Sequence, residues 1–562
     1  MTKYLKIFYP FLLTLSFLIA NNYITKAQDN VYNEEINVIA PYEPSISDAF
    51  KINRNPEIND TIINIPKLTY SIKTKEITTS FSPEPIRPAK MLGEPLDKLY
   101  KGLIKLGIGT YTTPYGEFFY NKLRSKKYSG GIHYKHISST GKIKNFAPCD
   151  YSNNALDLYG KKFIGIHTLY GNFNYNRDVI HFYGYNPDNY TNLLKNDTKQ
   201  IFSLFKFQTK LESAYPKKLN KLNHSFALNY YNLSDNYKTK ENNVKFNSEM
   251  SKDFKLFNFT RSQTLELIAN VDYYNTEEDT IKTIENSIIK IQPCIITEFK
   301  EFVFKLGINT SVTAYNNTEP KFYPVANIDI NVVKNVLIAY GGITGGIKRN
   351  NFKLLSNENP FISSTIPLEY TYNKFKIFGG FKTSFSSNIA FNANISSSKI
   401  DNMPFFVNDT TIKPQNKFII VYDNVKLINA KAEISYHKNE KIELLFCSNF
   451  YNYSFMEKEW KPWYKPNFDA SLSVNYNIKN KFILKANIFA CDKMYAKTFL
   501  NNEEKSEKIH GIIDLNLGIE YRYNKLISGF INFNNIGNTQ YYKWYNYPTQ
   551  RFNLLAGISY AF

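Results

Sequence analysis

At the end of the chain, Phe552, Leu554, Ala556, Ile558, Tyr560 and Phe562 fall in one phase of a period-two pattern, against Arg551, Asn553, Gly557, Ser559 and Ala561 in the other. Successive side chains of a strand point to opposite faces, so this pattern gives one apolar face and one small or polar face. Such a strand suits a wall with lipid on one side and a wet lumen on the other. The pattern recurs upstream. Ile513, Leu515, Leu517, Ile519, Tyr521 and Tyr523 oppose Asp514, Asn516, Gly518, Glu520, Arg522 and Asn524, and Leu265, Leu267, Ala269, Val271 and Tyr273 oppose Glu266, Asn270 and Asp272. A soluble half-buried sheet also alternates, so one stretch would decide little. A long series of them decides more.

Strands are expected near residues 100-111, 117-124, 128-138, 154-163, 166-176, 199-213, 221-234, 244-255, 262-275, 286-299, 302-314, 323-333, 336-348, 371-385, 389-399, 425-438, 441-453, 466-478, 480-492, 508-524, 525-535 and 551-562. That makes about 22, an even number as single-chain bacterial barrels have. With the last strand running into the periplasm, short turns such as Asn477 to Lys481 and Tyr523 to Lys525 fall on the periplasmic side. Long connections near 177-198, 349-370, 400-424, 454-465 and 536-550 fall outside. The fold class expected is all-β, a transmembrane antiparallel barrel over residues 100-562 in the outer membrane of a Gram-negative bacterium.

Two segments precede it. Lys3 and Lys6 stand before an apolar run from Ile7 to Ala20, and Thr25, Lys26 and Ala27 offer a cleavage site, which reads as a signal peptide over residues 1-27. The run falls short of the roughly 20 apolar residues a spanning helix needs. Residues 28-99 do not alternate, and the prolines at Pro41, Pro44, Pro56, Pro66, Pro83, Pro85, Pro88 and Pro95 favour extended, unpaired backbone. This segment is expected in the periplasm or inserted in the lumen, with inward-folded loops near 349-370 and 400-424 closing the other end. A barrel of this size encloses more space than its own side chains fill.

Alternation also accounts for 44 Tyr and 44 Phe coexisting with a negative mean hydropathy. The formal charge is +20, of which the signal peptide supplies three lysines. Two readings stay open, a lumen that attracts anions and a bias toward Lys, Asn, Ile and Tyr from AT-rich codons. No Lys/Arg run or motif points to nucleic acid.

Nor does the sequence carry a recognisable catalytic constellation: no G-x-S-x-G, P-loop or H-E-x-x-H occurs. His133 and His136, three apart on a strand, point to opposite faces and cannot share a metal. The four cysteines are scattered without a C-x-x-C pair. Cys294, Cys447 and Cys491 fall on the polar phase and are expected inside, as isolated thiols or, in an oxidising periplasm, a disulfide. No cofactor and no metal are expected, and the chain is not read as an enzyme. The candidate ligand-binding residues are aromatic and lie in the external loops: Tyr183, Tyr185, Phe405, Phe406, Trp460, Trp463, Tyr542 and Trp544. They suit either an interfacial girdle or a stacking platform for a sugar or cyclic ligand, or a contact surface for a surface lipoprotein.

The closing run Phe530 to Phe562 resembles that of TonB-dependent receptors in Asn535, Asn538, Tyr541 or Tyr542, Trp544, Tyr547, Pro548, Arg551, Gly557, Tyr560 and Phe562. HFYGYNP at His181 to Pro187 and APYEPSISDAFKIN at Ala40 to Asn53 are similar to Bacteroidetes members. The resemblance implies a 22-strand barrel, ligand uptake, outer-membrane lipid, and insertion by the barrel-assembly machinery through Tyr560 and Phe562. A TonB-type energy transducer is a further implied partner. EEINVI at Glu34 to Ile39 compares with the box that engages the transducer. Residues 28-99 are too short and too rich in proline for the family's plug domain, so the resemblance does not extend to energised import by the usual route. The competing expectation is a scaffold that anchors a lipoprotein or envelope complex and moves nothing.

Overall fold

The computed structural model describes residues 100–562, apart from 123–124, 216–220, 256–259, 261, 279–281, 315–318, 335, 455 and 501–502. The signal peptide and the Pro-rich segment expected at 1-27 and 28-99 lie outside the described residues.

Twenty-two strands form one antiparallel sheet in which each pairs with its sequence neighbour in the wall. The first strand, Gly102–Gly109, then pairs with the last, Asn553–Ala561, and closes the ring. Closure leaves no edge, so the backbone groups of the described strands have a neighbouring strand on both sides. The Phe562 carbonyl accepts from Lys101 N and Gly102 N, both at 2.9 Å, and ties the start of the first strand to the end of the last at one rim. Every expected strand is present.

The two phases separate as the alternation requires. Leu106 and Ile108, Ile289 and Ile291, Leu517 and Ile519, and Ile558 and Tyr560 are exposed on the outer face. The inner face carries hydrogen-bonded charge. Glu117 lies 3.8 Å from Lys105 Nζ and 3.0 Å from His133 Nε2, while His133 Nδ1 lies 3.7 Å from Asp157. His136 instead meets Asn154 at 2.7 Å.

The seam depends on missing side chains. Gly107 pairs with Gly557, and a Cβ at Gly557 would stand 2.2 Å from the Leu106 carbonyl oxygen and 2.5 Å from Phe530 Cζ. A ring can rotate away, whereas the backbone of the closing strand cannot. Gly557→Val is therefore expected to abolish the fast-migrating, heat-modifiable form on unboiled gels while leaving secreted chain detectable. A normal folded fraction would refute this.

Three elements depart from the sequence reading. Strands Ile389–Asn408 and Phe418–Lys438 run on into 400-424, where the sequence leads one to expect a loop, as one long hairpin with a register shift between Ile400 and Met403. Pro404 pairs with Tyr422 inside it. Strands Met494–Leu500 and Glu503–Ile509 make a separate hairpin between two wall strands, and Phe352–Glu358 is a helix.

Candidate functional site

The long connections gather over the mouth opposite the rim where Gly102 meets Phe562. Their apolar residues form one buried cluster: Phe352, Leu355 and Ile362 from the helix-bearing connection, Phe405, Phe406 and Phe418 from the long hairpin, Trp463 and Tyr464, Met494 and Ile509, and Trp544 and Tyr547. The Trp544 ring lies 5.0 Å from Phe406, 5.5 Å from Phe418 and 4.9 Å from Tyr464, and Tyr547 stacks on Phe361 at 3.7 Å. These spacings suit offset and edge-to-face aromatic pairs. The cluster is a small hydrophobic core built from segments far apart in sequence.

Its polar groups are satisfied across the mouth. Asn416 Nδ2 donates to the Phe182 carbonyl at 2.7 Å, and the Tyr547 hydroxyl donates to the Asn416 carbonyl. Phe182 follows the fifth wall strand and Asn416 the fifteenth, nearly opposite in a ring of 22, so this bond bridges the opening. Glu241, on the wall, accepts from Phe352 N at 2.7 Å and Lys353 N at 3.1 Å, capping the start of the helix. A carboxylate there satisfies two otherwise orphaned donors. Asp423 accepts from the backbone of Glu457, Lys458 and Glu459 at 2.8 to 3.2 Å and fixes another connection. Lys497 Nζ sits 3.0 Å from Glu459 and 2.9 Å from Glu504. Burial works against its charge, but the two carboxylates prevail and raise its pKa.

The eight aromatic candidates fall unequally into this cap. Phe405, Phe406, Trp463 and Trp544 are buried within it, and Tyr185 is buried apart from it, beside Tyr190. Tyr183 is packed on Tyr547 and its hydroxyl donates to the Pro548 carbonyl at 2.9 Å. Tyr542 is half-buried, and Trp460 is 53% exposed over Trp463. A ring enclosed by protein on all sides has no face for a ligand. Tyr183 also lines a cavity.

That cavity, about 450 Å³, lies against the cap and the adjoining wall. Its lining includes Asp150, His181, Asp514, Asn516, Asn534, Tyr541, Gln550 and Asn553, with Tyr183 and Phe361 from the cap, and no Lys or Arg. The Tyr541 hydroxyl donates to Asp514 Oδ2 at 3.2 Å, while buried Asp514 Oδ1 has no protein partner. Burial first and the Asp514 charge second hold Tyr541 protonated, so it remains a donor. Asp150 is paired with Lys195, and burial pushes the Cys149 thiol up and away from reactivity. The result is a pocket of acceptors, amides and ring faces. Sequence reading passed over Asp514 as one lumen-phase residue among many; its position at the outer end of a wall strand, two before Asn516, was the signal.

No family model matches the sequence, and no curated protein matches it. Solved structures resemble its fold. The pyoverdine outer membrane receptor FpvA from Pseudomonas aeruginosa PAO1 superposes with a TM-score of 0.62 at 11% identity, over 82% of this chain and 78% of that one. The siderophore receptor PirA from Acinetobacter baumannii gives 0.61 at 9% identity, over 82% and 80%. The ferric-catecholate import receptor Fiu from K12 E. coli gives 0.59 at 10%, over 82% of each. At such identities the likeness is one of fold, and it agrees with the barrel type that the closing run resembles.

Proposed function

We propose that this chain is an outer-membrane uptake receptor that takes a small, hydroxyl-rich ligand, neutral or cationic, into the cavity beneath its loop cap. The acceptor-rich cavity at the capped end of a closed barrel carries the reading. Sugars and polyols offer many hydroxyl donors and apolar ring faces, which carboxylate, amide and aromatic linings complement. An anion there would meet Asp514 uncompensated. The import of ferric catecholates named for one structural neighbour, and the pyoverdine bound in another, support a role in ligand uptake and leave the ligand of this chain to its own pocket.

In this reading Tyr183 contacts ligand directly, Trp460 and Tyr542 offer the first exposed rings, and the buried aromatics hold the cap in shape. The barrel-assembly machinery would engage Tyr560 and Phe562, and outer-membrane lipid the exposed apolar face. A TonB-type transducer or a surface lipoprotein remains the natural source of energy or of captured ligand. Asp514→Asn is expected to weaken binding of a neutral oligosaccharide by about tenfold, the scale of one charge-assisted hydrogen bond. Equilibrium binding to purified protein checks this against the same sugar carrying a carboxylate, which the variant should tolerate better. If neither sugar binds and the protein conducts nothing in planar bilayers, the scaffold reading takes its place.

A further inference from the structure

Arg349, the last residue of the wall strand Leu337–Arg349, is 3% exposed. Its guanidinium carbon lies 5.2 Å from the Tyr274 ring centre and 5.8 Å from that of Tyr370. Nε, Nη1 and Nη2 make no well-aligned hydrogen bond among the described residues, and the one acceptor there that reaches the guanidinium is the Tyr370 hydroxyl, already spent as a donor to Asn286. Ring faces take a cation from above and below; they do nothing for the N–H groups that leave the guanidinium in its own plane.

The surroundings repeat the deficit. Asn286 pairs with Tyr274 across two wall strands and accepts from the Tyr370 hydroxyl at 3.1 Å, yet its own buried Nδ2 has no partner. Thr276, two residues from Tyr274 on the same face, is fully buried with Oγ1 unpaired. The nearby carboxylates are committed. Glu241 offsets the guanidinium through space but spends its oxygens on Phe352 N, Lys353 N and the Tyr231 hydroxyl. Asp272 accepts from Asn243 and Tyr274. A buried charge is tolerated when paired and hydrogen-bonded, and here five guanidinium N–H groups and the Asn286 amide meet only hydroxyl oxygens, those of Tyr370 and Thr276, too few acceptors to satisfy them.

We propose that Arg349, Asn286 and Thr276 form a binding site for an oxyanion, phosphate or carboxylate, in the barrel wall beneath the cap. A planar fork of N–H groups suits two oxygens of one anion, and the Asn286 amide and Thr276 hydroxyl supply donors to the rest. The site is separate from the acceptor-lined cavity and of opposite polarity. Its occupant steadies the cap, because Asn350 holds the base of the same connection through Glu369 and Thr371, and Asn351 caps the helix.

The test uses the full chain purified in detergent at neutral pH, its unfolding midpoint followed in sodium phosphate and in sodium acetate against sodium chloride at equal ionic strength. A ligand that binds only the folded state raises the midpoint saturably. A saturable rise in wild type, lost in Arg349→Met and reduced in Thr276→Val, supports the site; the salt that produces it tells phosphate from carboxylate. No rise in either salt, or an equal rise in Arg349→Met, overturns it. Should Arg349→Met fail to fold, wild-type crystals soaked in selenate decide. An anomalous peak at the guanidinium edge supports the site, and water alone there, in selenate and in acetate soaks alike, refutes it.

Discussion

Leu517→Arg is expected to cost about 2–4 kcal/mol of barrel stability, the price of a cation facing lipid near the bilayer midplane. Leu517 is the sixth of eleven residues in Ile512–Arg522 and is 38% exposed on the outer face. The control belongs on the neighbouring strand and the inner face. Asn532 pairs with Gly518, where no side chain need be displaced, so Asn532→Arg should cost far less. Asn516 would be a poorer control, because its Oδ1 accepts from Asn535 N at 2.9 Å and holds the start of a cap connection. Folded fraction against urea in lipid vesicles measures both variants. Equal losses would mean that the two faces meet the same solvent, as in a soluble sheet.

The wall was legible because its physics is local. Each strand alternates by itself, as Ile513 to Tyr523 does, and closure adds no sequence requirement beyond an even count and a small residue where first and last strands meet. The cap obeys different rules. Phe405 and Phe406 are adjacent, and both are fully buried, which alternation forbids on a free-standing strand. Other connections cover both faces of that hairpin above the membrane, so Pro404, ordinarily a sign of loop, sits within a paired strand. The helix Phe352–Glu358 has only seven residues, too few to show a period, and owes its start to Asn351 and to Glu241 more than a hundred residues away.

The site was legible only in outline. Clustered aromatics marked the right loops, but sequence cannot distinguish a ring that faces a ligand from one that closes a core. Trp460 and Trp463 are three residues apart, one 53% exposed and the other fully buried, and what separates them is the position of Glu459, which accepts from Trp463 Nε1 at 2.7 Å. The same limit hid Arg349: one arginine among many basic residues, it stands out only once Tyr274, Asn286 and Tyr370 surround it.

Trp544→Ala should remove about 3–5 kcal/mol from the cap, the usual range for deleting a buried aromatic. Trp544 joins Phe406 and Phe418 of the long hairpin to Tyr464 of the next connection, so its loss strikes the place where they meet. The wall strands keep their ladders, and the heat-modifiable barrel should therefore form at wild-type yield. The cap should open instead, exposing the 535–552 connection to external protease in intact cells. Trp460→Ala, at the exposed ring, provides the contrast and should leave cleavage unchanged. Protection of the connection in Trp544→Ala would show that the cross-mouth bonds of Asn416 and Tyr547 hold the cap without its aromatic core. Conductance reports a deeper layer. A cleavable cap with a silent bilayer trace would place the remaining barrier inside the lumen, below the loops.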